Sequence, residues 1–341
     1  MRGRFKLRAA VTALVAVHAA ILFAGFLAPY DYARQNRDAA FAPPTLVHFV
    51  DTNGTSHIRP FVYGFKPGKD GAYEVDEAQM YPLEFFAEGS AYKVGGVVSM
   101  RVHLFEARPP GHVFLMGTDG YGRDQFSRFL YGGQLSLLAG LLAAGISVLL
   151  GVAIGALAGF YGGWLDEFLM RGAEVFLALP WLYLLFAVRA AMPLHIAGWQ
   201  IFLLLVSVMG LIGWARPARL VRGVVLTARE RNFVLAARGF GASDGYLLTR
   251  HIIPQTSGLI LTQLALLIPQ YILAEVTLSF LGLGVSEPMA SWGNLLSSLQ
   301  QYYVLTSYWW MFLPAILLVP IFLLYHLSAD ALQERTAPVQ L

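Results

Sequence analysis

Leu135 to Phe160 read LSLLAGLLAAGISVLLGVAIGALAGF, without a single charged residue. A helix needs about 20 mostly apolar residues to cross the hydrocarbon core of a bilayer, so this run predicts a transmembrane helix. Working outward, five further runs meet the same description: Ala9–Leu27, Phe168–Ala191, Ile196–Trp214, Leu259–Leu283 and Trp309–Ser328. The composition agrees. Of 341 residues, 57% are hydrophobic and 13% charged, against about 25% charged in an average soluble domain. Mean hydropathy is +0.57. One soluble core could not hide this much apolar surface, whereas lipid solvates it directly. The chain therefore reads as an all-α polytopic membrane protein with six transmembrane helices. An ordinary soluble enzyme, a disordered chain and a nucleic-acid binder are disfavoured. With no cysteine, disulfides, thiolate metal sites, iron–sulfur clusters and cysteine nucleophiles are excluded.

Arg2, Arg4, Lys6 and Arg8 precede the first run. That run is longer than a signal-peptide core and lacks a good cleavage site, so it reads as an uncleaved helix. Six spans place both termini on one side. The positive-inside rule makes that side cytoplasmic: between Pro217 and Gly258 stand Arg219, Arg222, Arg229, Arg231, Arg238 and Arg250 against Glu230 and Asp244, with Arg216 at the border. The slightly acidic segment Pro29–Asp124 then lies outside. The expected division is 1–29 (cytoplasmic N-terminus and first helix), 30–125 (extracytoplasmic cap), 126–328 (five further helices and a cytoplasmic loop, 216–258) and 329–341 (cytoplasmic tail).

Within the cap, Leu46–Val50 and Ile58–Tyr63 flank Asn53-Gly54, a strong hairpin signal. Leu83–Phe86 and Ala91–Val98 flank Glu88-Gly89-Ser90 and predict a second hairpin. We expect a small β-containing insertion here.

Four features bear on chemistry. Gly151, Gly155, Gly159 and Gly163 flatten one helix face for close backbone approach, either for internal packing or for a moving or inter-subunit contact. Glu275, with Thr277 and Ser279 nearby, lies in an apolar span, where a carboxylate must face protein or water; it is either a structural carboxylate or part of a translocation pathway or gate. Pro269 is expected to bend that helix. The eight histidines show no metal spacing, and no GxxxxGK[ST] phosphate loop occurs. Finally, Phe233, Ala236, Ala237 and Phe240 fall at i, i+3, i+4 and i+7, an apolar face on a short helix. Gly241 ends that helix, Ser243 or Asp244 caps the next, and Pro254 leads into the fifth span. Physically this helix either lies on the membrane surface or plugs into a cytosolic partner.

Asn232–Asp244 (NFVLAARGFGASD), followed by Arg250-His-Ile-Ile-Pro254, resembles the cytoplasmic EAA loop of ABC importer permeases. Gly117–Asp124 (GTDGYGRD), Phe126–Gly132 (FSRFLYG), Ala274–Gly284 (AEVTLSFLGLG) and Ser291–Asn294 (SWGN) resemble the second, C-type permease subunit of the dipeptide/oligopeptide/nickel branch. The resemblance covers about residues 1–30 and 112–335. It implies a type I ABC importer permease fold in a bacterial or archaeal cytoplasmic (inner) membrane, and a non-catalytic subunit of an ATP-driven importer of peptides or related solutes. Nickel chelates and modified peptides are the alternative cargoes, and a secondary transporter without ATPases is the alternative class. The implied partners are a homologous second permease, two cytosolic P-loop ATPase subunits, an extracytoplasmic solute-binding protein and membrane lipid, with no nucleic acid. The chain itself is expected to bind no cofactor and no metal; ATP and Mg would sit on the ATPases. The coupling role carries over to Ala236, Ala237 and Gly241, within a docking segment that also takes in Phe233, Leu235, Arg238, Phe240, Ala242, Ser243, Asp244 and Pro254. Leu235 stands where the family motif usually has glutamate, and residues 40–110 match no motif.

Overall fold

The computed structural model describes residues 2–68, 73–94, 96–193 and 196–336; residues 337–341 of the expected tail lie outside the described residues. In chain order the main elements are helix α1 (Arg2–Leu22), strands β1 (His48–Val50), β2 (Ser56–Pro67), β3 (Tyr73–Val94) and β4 (Val98–Ala107), then helices α2 (Gln125–Tyr161), α3 (Gly163–Ala178), α4 (Trp181–Ala190), α5 (Gly198–Ile212), α6 (Ala215–Arg229), α7 (Asn232–Gly239), α8 (Ser257–Phe280) and α9 (Leu313–Thr336).

Among the described residues, four stretches are individually long and apolar enough to cross a bilayer: Gln125–Tyr161, Gly198–Arg229, Asp244–Phe280 and Trp309–Glu334. The expected span 168–191 is instead the pair α3 and α4, bent by 76°. Pro180 causes the break. A residue before proline is disfavoured in the helical region, and Leu179 has left it, at φ −72°, ψ 130°. Counting the pair as one crossing gives five spans. The apolar portion Leu7–Leu22 of α1 is shorter than 18 residues. Among the described residues, length and composition thus account for four to five of the six expected spans, and α1 supplies a shorter apolar helix at the position of the first.

The connection 216–258 is largely helical. The helix of α5 runs on into α6, with Pro217 in the first turn of α6, where its missing N–H costs nothing. Ala215, Ala218, Val221, Val225 and Ala228 are buried along one face, and the arginines occupy the rest, an amphipathic pattern. Pro269 lies within α8.

Contacts divide the chain into two compact units: Met1–Leu14, Leu137–Leu278 and Ile321–Leu341 form the first, Val15–Ser136 and Ser279–Pro320 the second. In the first unit, the glycine face of α2 meets α6. A Cβ on Gly155 would lie 2.4 Å from the Ala218 carbonyl oxygen, one on Gly151 2.5 Å from Pro217, and one on Gly159 2.9 Å from the Arg222 oxygen. Gly163 does not belong to this face. It lies beyond the end of α2 at φ +58° with open space around it, so its freedom serves the turn into α3. A second tie joins three helices: the Ser147 hydroxyl lies 2.7 Å from the Tyr271 hydroxyl and donates to the Gly210 carbonyl at 3.0 Å.

In the second unit, the strands form one antiparallel sheet in the order β1-β2-β3-β4. The expected Asn53-Gly54 turn is present: Asp51 Oδ1 accepts from the backbone of Asn53 and Thr55, both at 2.9 Å, and Gly54 adopts φ +81°. The second expected hairpin does not form. β3 runs through Glu88-Gly89-Ser90 with a register shift between Glu88 and Tyr92, and the reversal comes after Val94, with Gly96 at φ +78°. Gly89 answers a different need. A Cβ there would lie 2.6 Å from the ring of buried His103, so this strand glycine permits close approach. The ring nitrogens of His103 lie 2.6 Å from the Ala28 oxygen and 2.9 Å from the Ser90 oxygen. Val62, Leu83 and Ala107 of the sheet share a core with Tyr30, Ala42, Val113 and Phe114, which fixes the sheet to the segments on either side of it.

Candidate functional site

The first candidate is built on α7. Val234, Val221, Val225, Ala228, Leu247, Leu248 and Ile252 are buried in one cluster with Ala156 and Phe160 of α2, and Ala237 and Ala242 pack against it. This cluster sets α7 firmly on its inner side. Its outer side is uncovered: Phe233 and Leu235 are about half exposed, and Phe240 is 94% exposed. Ala236 is exposed as well. The periodicity thus found the apolar face, although Ala237 turns partly inward and the buried anchor, Val234, was missed. Its signal was a β-branched residue between two exposed apolar ones.

The ends of α7 follow local rules. Gly241 adopts φ +84° with nothing near its Cβ position, the left-handed geometry of a helix stop. Ser243 Oγ accepts from the Tyr246 backbone, capping the next turn, and Pro254 is exposed within Ile253–Thr256. Arg238 lies 5.3 Å from the centroid of the Phe160 ring and 3.9 Å from Asp244. With half-exposed partners, that ion pair contributes little. Arg229 donates to the Gly159 and Phe160 carbonyls at 3.0 and 3.3 Å, a cationic cap on the C-terminus of α2.

Glu275 is 1% exposed and Ser279 2% exposed. The Thr277 hydroxyl donates to the Leu273 carbonyl of its own helix at 2.7 Å. A cavity of about 190 Å³ in the first unit lies beside the bend between α3 and α4, lined among others by Leu179, Trp181, Arg216, Gln270 and Tyr271; Glu275 is not in its wall.

The second unit holds a polar cluster that motif reading did not assign. Asp119 organises the turn before α2: its Oδ1 accepts from the backbone of Tyr121 and Arg123 at 2.8 and 3.0 Å, and its Oδ2 from Arg123 Nε at 2.7 Å. Glu287, far along the chain, is held by two arginines. Arg123 Nη1 donates to Oε2 at 2.8 Å and Arg128 Nη2 to Oε1 at 2.8 Å. The side chains of Arg128 and Arg123 are 1% and 10% exposed, that of Glu287 45%. They border a cavity of about 450 Å³ that Gln125, Asn294, Ser298, Gln301, Phe41 and Tyr303 also line. Next to it, Asp124 caps α2 through bonds from Ser127 N and Oγ at 2.8 and 2.6 Å. Burial pushes the Asp124 carboxyl up to about 6.

Residues 151–338 match the family described as the binding-protein-dependent transport system inner membrane component. The chain is 36% identical over 231 residues to the dipeptide transport permease DppC of Bacillus subtilis, covering 67% of this chain and 70% of that protein. It is 36% identical over 232 residues to the oligopeptide transport permease OppC of the same species, covering 68% and 73%, and 38% identical over 231 residues to a putative peptide transport permease of Brucella suis, covering 68% and 75%. A solved amino acid ABC transporter with histidines aligns over 61% of this chain and 94% of its own at 20% identity and a TM-score of 0.44, too distant to carry an argument.

Proposed function

The chain belongs to the inner-membrane components of binding-protein-dependent transport systems, and from that membership we propose that it is one of two permease subunits of an ATP-driven peptide importer. The observation that carries the proposal is the uncovered apolar face of α7, anchored to the transmembrane helices by one buried cluster. A rigid coupling between a docking face and the spans is what an ATP-driven conformational switch requires, because the motor's work must reach the helices without being absorbed by a soft joint. We assign the occupant of that face to a cytosolic P-loop ATPase, one of two in the complex. ATP and Mg sit on those subunits. A homologous second permease completes the pathway, an extracytoplasmic binding protein delivers cargo, and the basic N-terminus and α7 face the cytoplasm. The cargo class follows from the relatives, whose names specify dipeptides, oligopeptides and peptides.

In the cycle we propose, ATP closes the two motors, the docked α7 helices follow, and the permease pair opens outward; hydrolysis restores the inward-facing state. Near-complete conversion between two such states needs a differential binding energy on the order of 5 kcal/mol, which the nucleotide supplies. The test is reconstitution into vesicles with the partner subunits. Peptide uptake that requires ATP, and no ATP hydrolysis by this chain alone, is the expected result. Uptake at an equal rate without nucleotide, or robust hydrolysis by the isolated chain, would contradict the assignment.

A further inference from the structure

The arginine pair around Glu287 has the chemistry of a carboxylate seat. Arg128 and Arg123 are nearly buried and present a bidentate and a single charge-assisted hydrogen bond to one carboxylate. Buried cations of this kind must keep an anion, and removing it is destabilising. The anion they hold is the most exposed member of the cluster. The cavity beside it, about 450 Å³, falls within the usual range for small-ligand sites, roughly 300–1,000 Å³. Its wall is not a simple structural tie. Gln125 is 1% exposed and its Nε2 donates to Met311 Sδ, yet its buried Oε1 has no hydrogen-bond partner among the described residues. Buried acceptors are rarely left unpaired. Asn294 and Gln301 add amides, Ser298 a hydroxyl, and Phe41 and Tyr303 aromatic faces.

We propose that this is a carboxylate-exchange site: Glu287 occupies it in the resting chain, and the C-terminal carboxylate of a transported peptide replaces Glu287 on Arg123 and Arg128. The exchange keeps both cations paired at every stage, so it avoids the penalty of a vacant seat. Gln125 Oε1 then accepts a hydrogen bond from a peptide N–H. Asp119 stays on Arg123 Nε and screens that arginine's other edge. The inference rests on the peptide-permease reading for its ligand class.

The experiment compares trialanine with trialanine amide, which differ only at the carboxylate. Both are titrated onto the detergent-purified complex of this chain with its partner permease and ATPases, without binding protein, by thermal shift and calorimetry. Glu287→Gln removes the resident anion and keeps both arginines. Its complex should melt lower than wild type, regain stability with trialanine but not with the amide, and bind the acid at least tenfold more tightly than wild type does. If the complex of that variant does not accumulate, Glu287→Asp, with a shorter reach to the arginines, should bind the acid several-fold more tightly than wild type, again with no gain for the amide. Equal effects of acid and amide, or no effect of either, overturn the proposal. ATP-driven uptake by the wild-type complex is measured separately: uptake together with indifferent binding removes the exchange site alone, whereas absent uptake removes the permease reading.

Discussion

The α7 face and the Arg123–Arg128–Glu287 cluster solve opposite problems. On α7, apolar side chains are left uncovered on a helix whose other side is locked into a core. In the cluster, charged side chains are withdrawn from water and satisfied by one another. Exposed apolar surface on a rigid base is available to a partner; buried charges are costly to leave unpaired, so they keep an anion in reach. Each is a local violation of the usual burial rule, and each therefore reads as function before it reads as stability.

The strongest way to break this contrast is to damage the base under α7 rather than its face. Gly155→Leu forces a side chain against the Ala218 carbonyl. Overpacking typically costs about 1–3 kcal/mol, and with backbone as the obstacle we expect the upper end or more, seen as lost monodisperse protein in detergent. Gly163→Ala should cost only about 1 kcal/mol, since its surroundings are open and only the left-handed backbone resists.

A second prediction concerns Asp124. Its folded-state carboxyl is raised from 3.8 to about 6, so the folded chain binds its proton more tightly than the unfolded chain does. The contribution of this group to stability is then fully present below about pH 4, is lost as pH rises to about 6, and is level above that. Two units correspond to about 3 kcal/mol. Melting curves across this range should show the slope, and Asp124→Asn, which can still accept from Ser127, should flatten it. Smaller still, Gly241→Ala places a side chain at φ +84° in open space and should cost about 1 kcal/mol. Arg238→Ala loses a long, half-exposed ion pair and the contact with the Phe160 ring and should shift stability by about 1 kcal/mol or less.

What the sequence revealed followed from local physics. The uncharged run 135–160, the Asn53-Gly54 turn, the stop at Gly241 and the Ser243 cap each depend on neighbours within one or two turns. What it concealed depended on distance. The cluster joins Arg123 and Arg128 to Glu287, and no spacing rule links residues so far apart. Gly89 resembled a turn residue because the ring that needs its missing side chain, His103, comes from another strand. Gly163 continued a four-residue rhythm on paper, but the helix had already ended at Tyr161. Pro180 was a visible signal passed over: its preceding residue is disfavoured in the helical region, and the span breaks there. Leu235, where the resembling motif carries an acid, is half exposed on α7, so this position offers a partner apolar surface and no carboxylate.

The most direct test of the coupling role is Phe240→Asp. This side chain is 94% exposed, so the exchange leaves the core beneath α7 untouched. Co-purification of the ATPase subunits with the tagged chain should fall at least tenfold, together with ATP-driven peptide uptake, while the melting temperature of the isolated chain stays at the wild-type value. Recovery of the ATPases at normal yield with that variant would contradict the account.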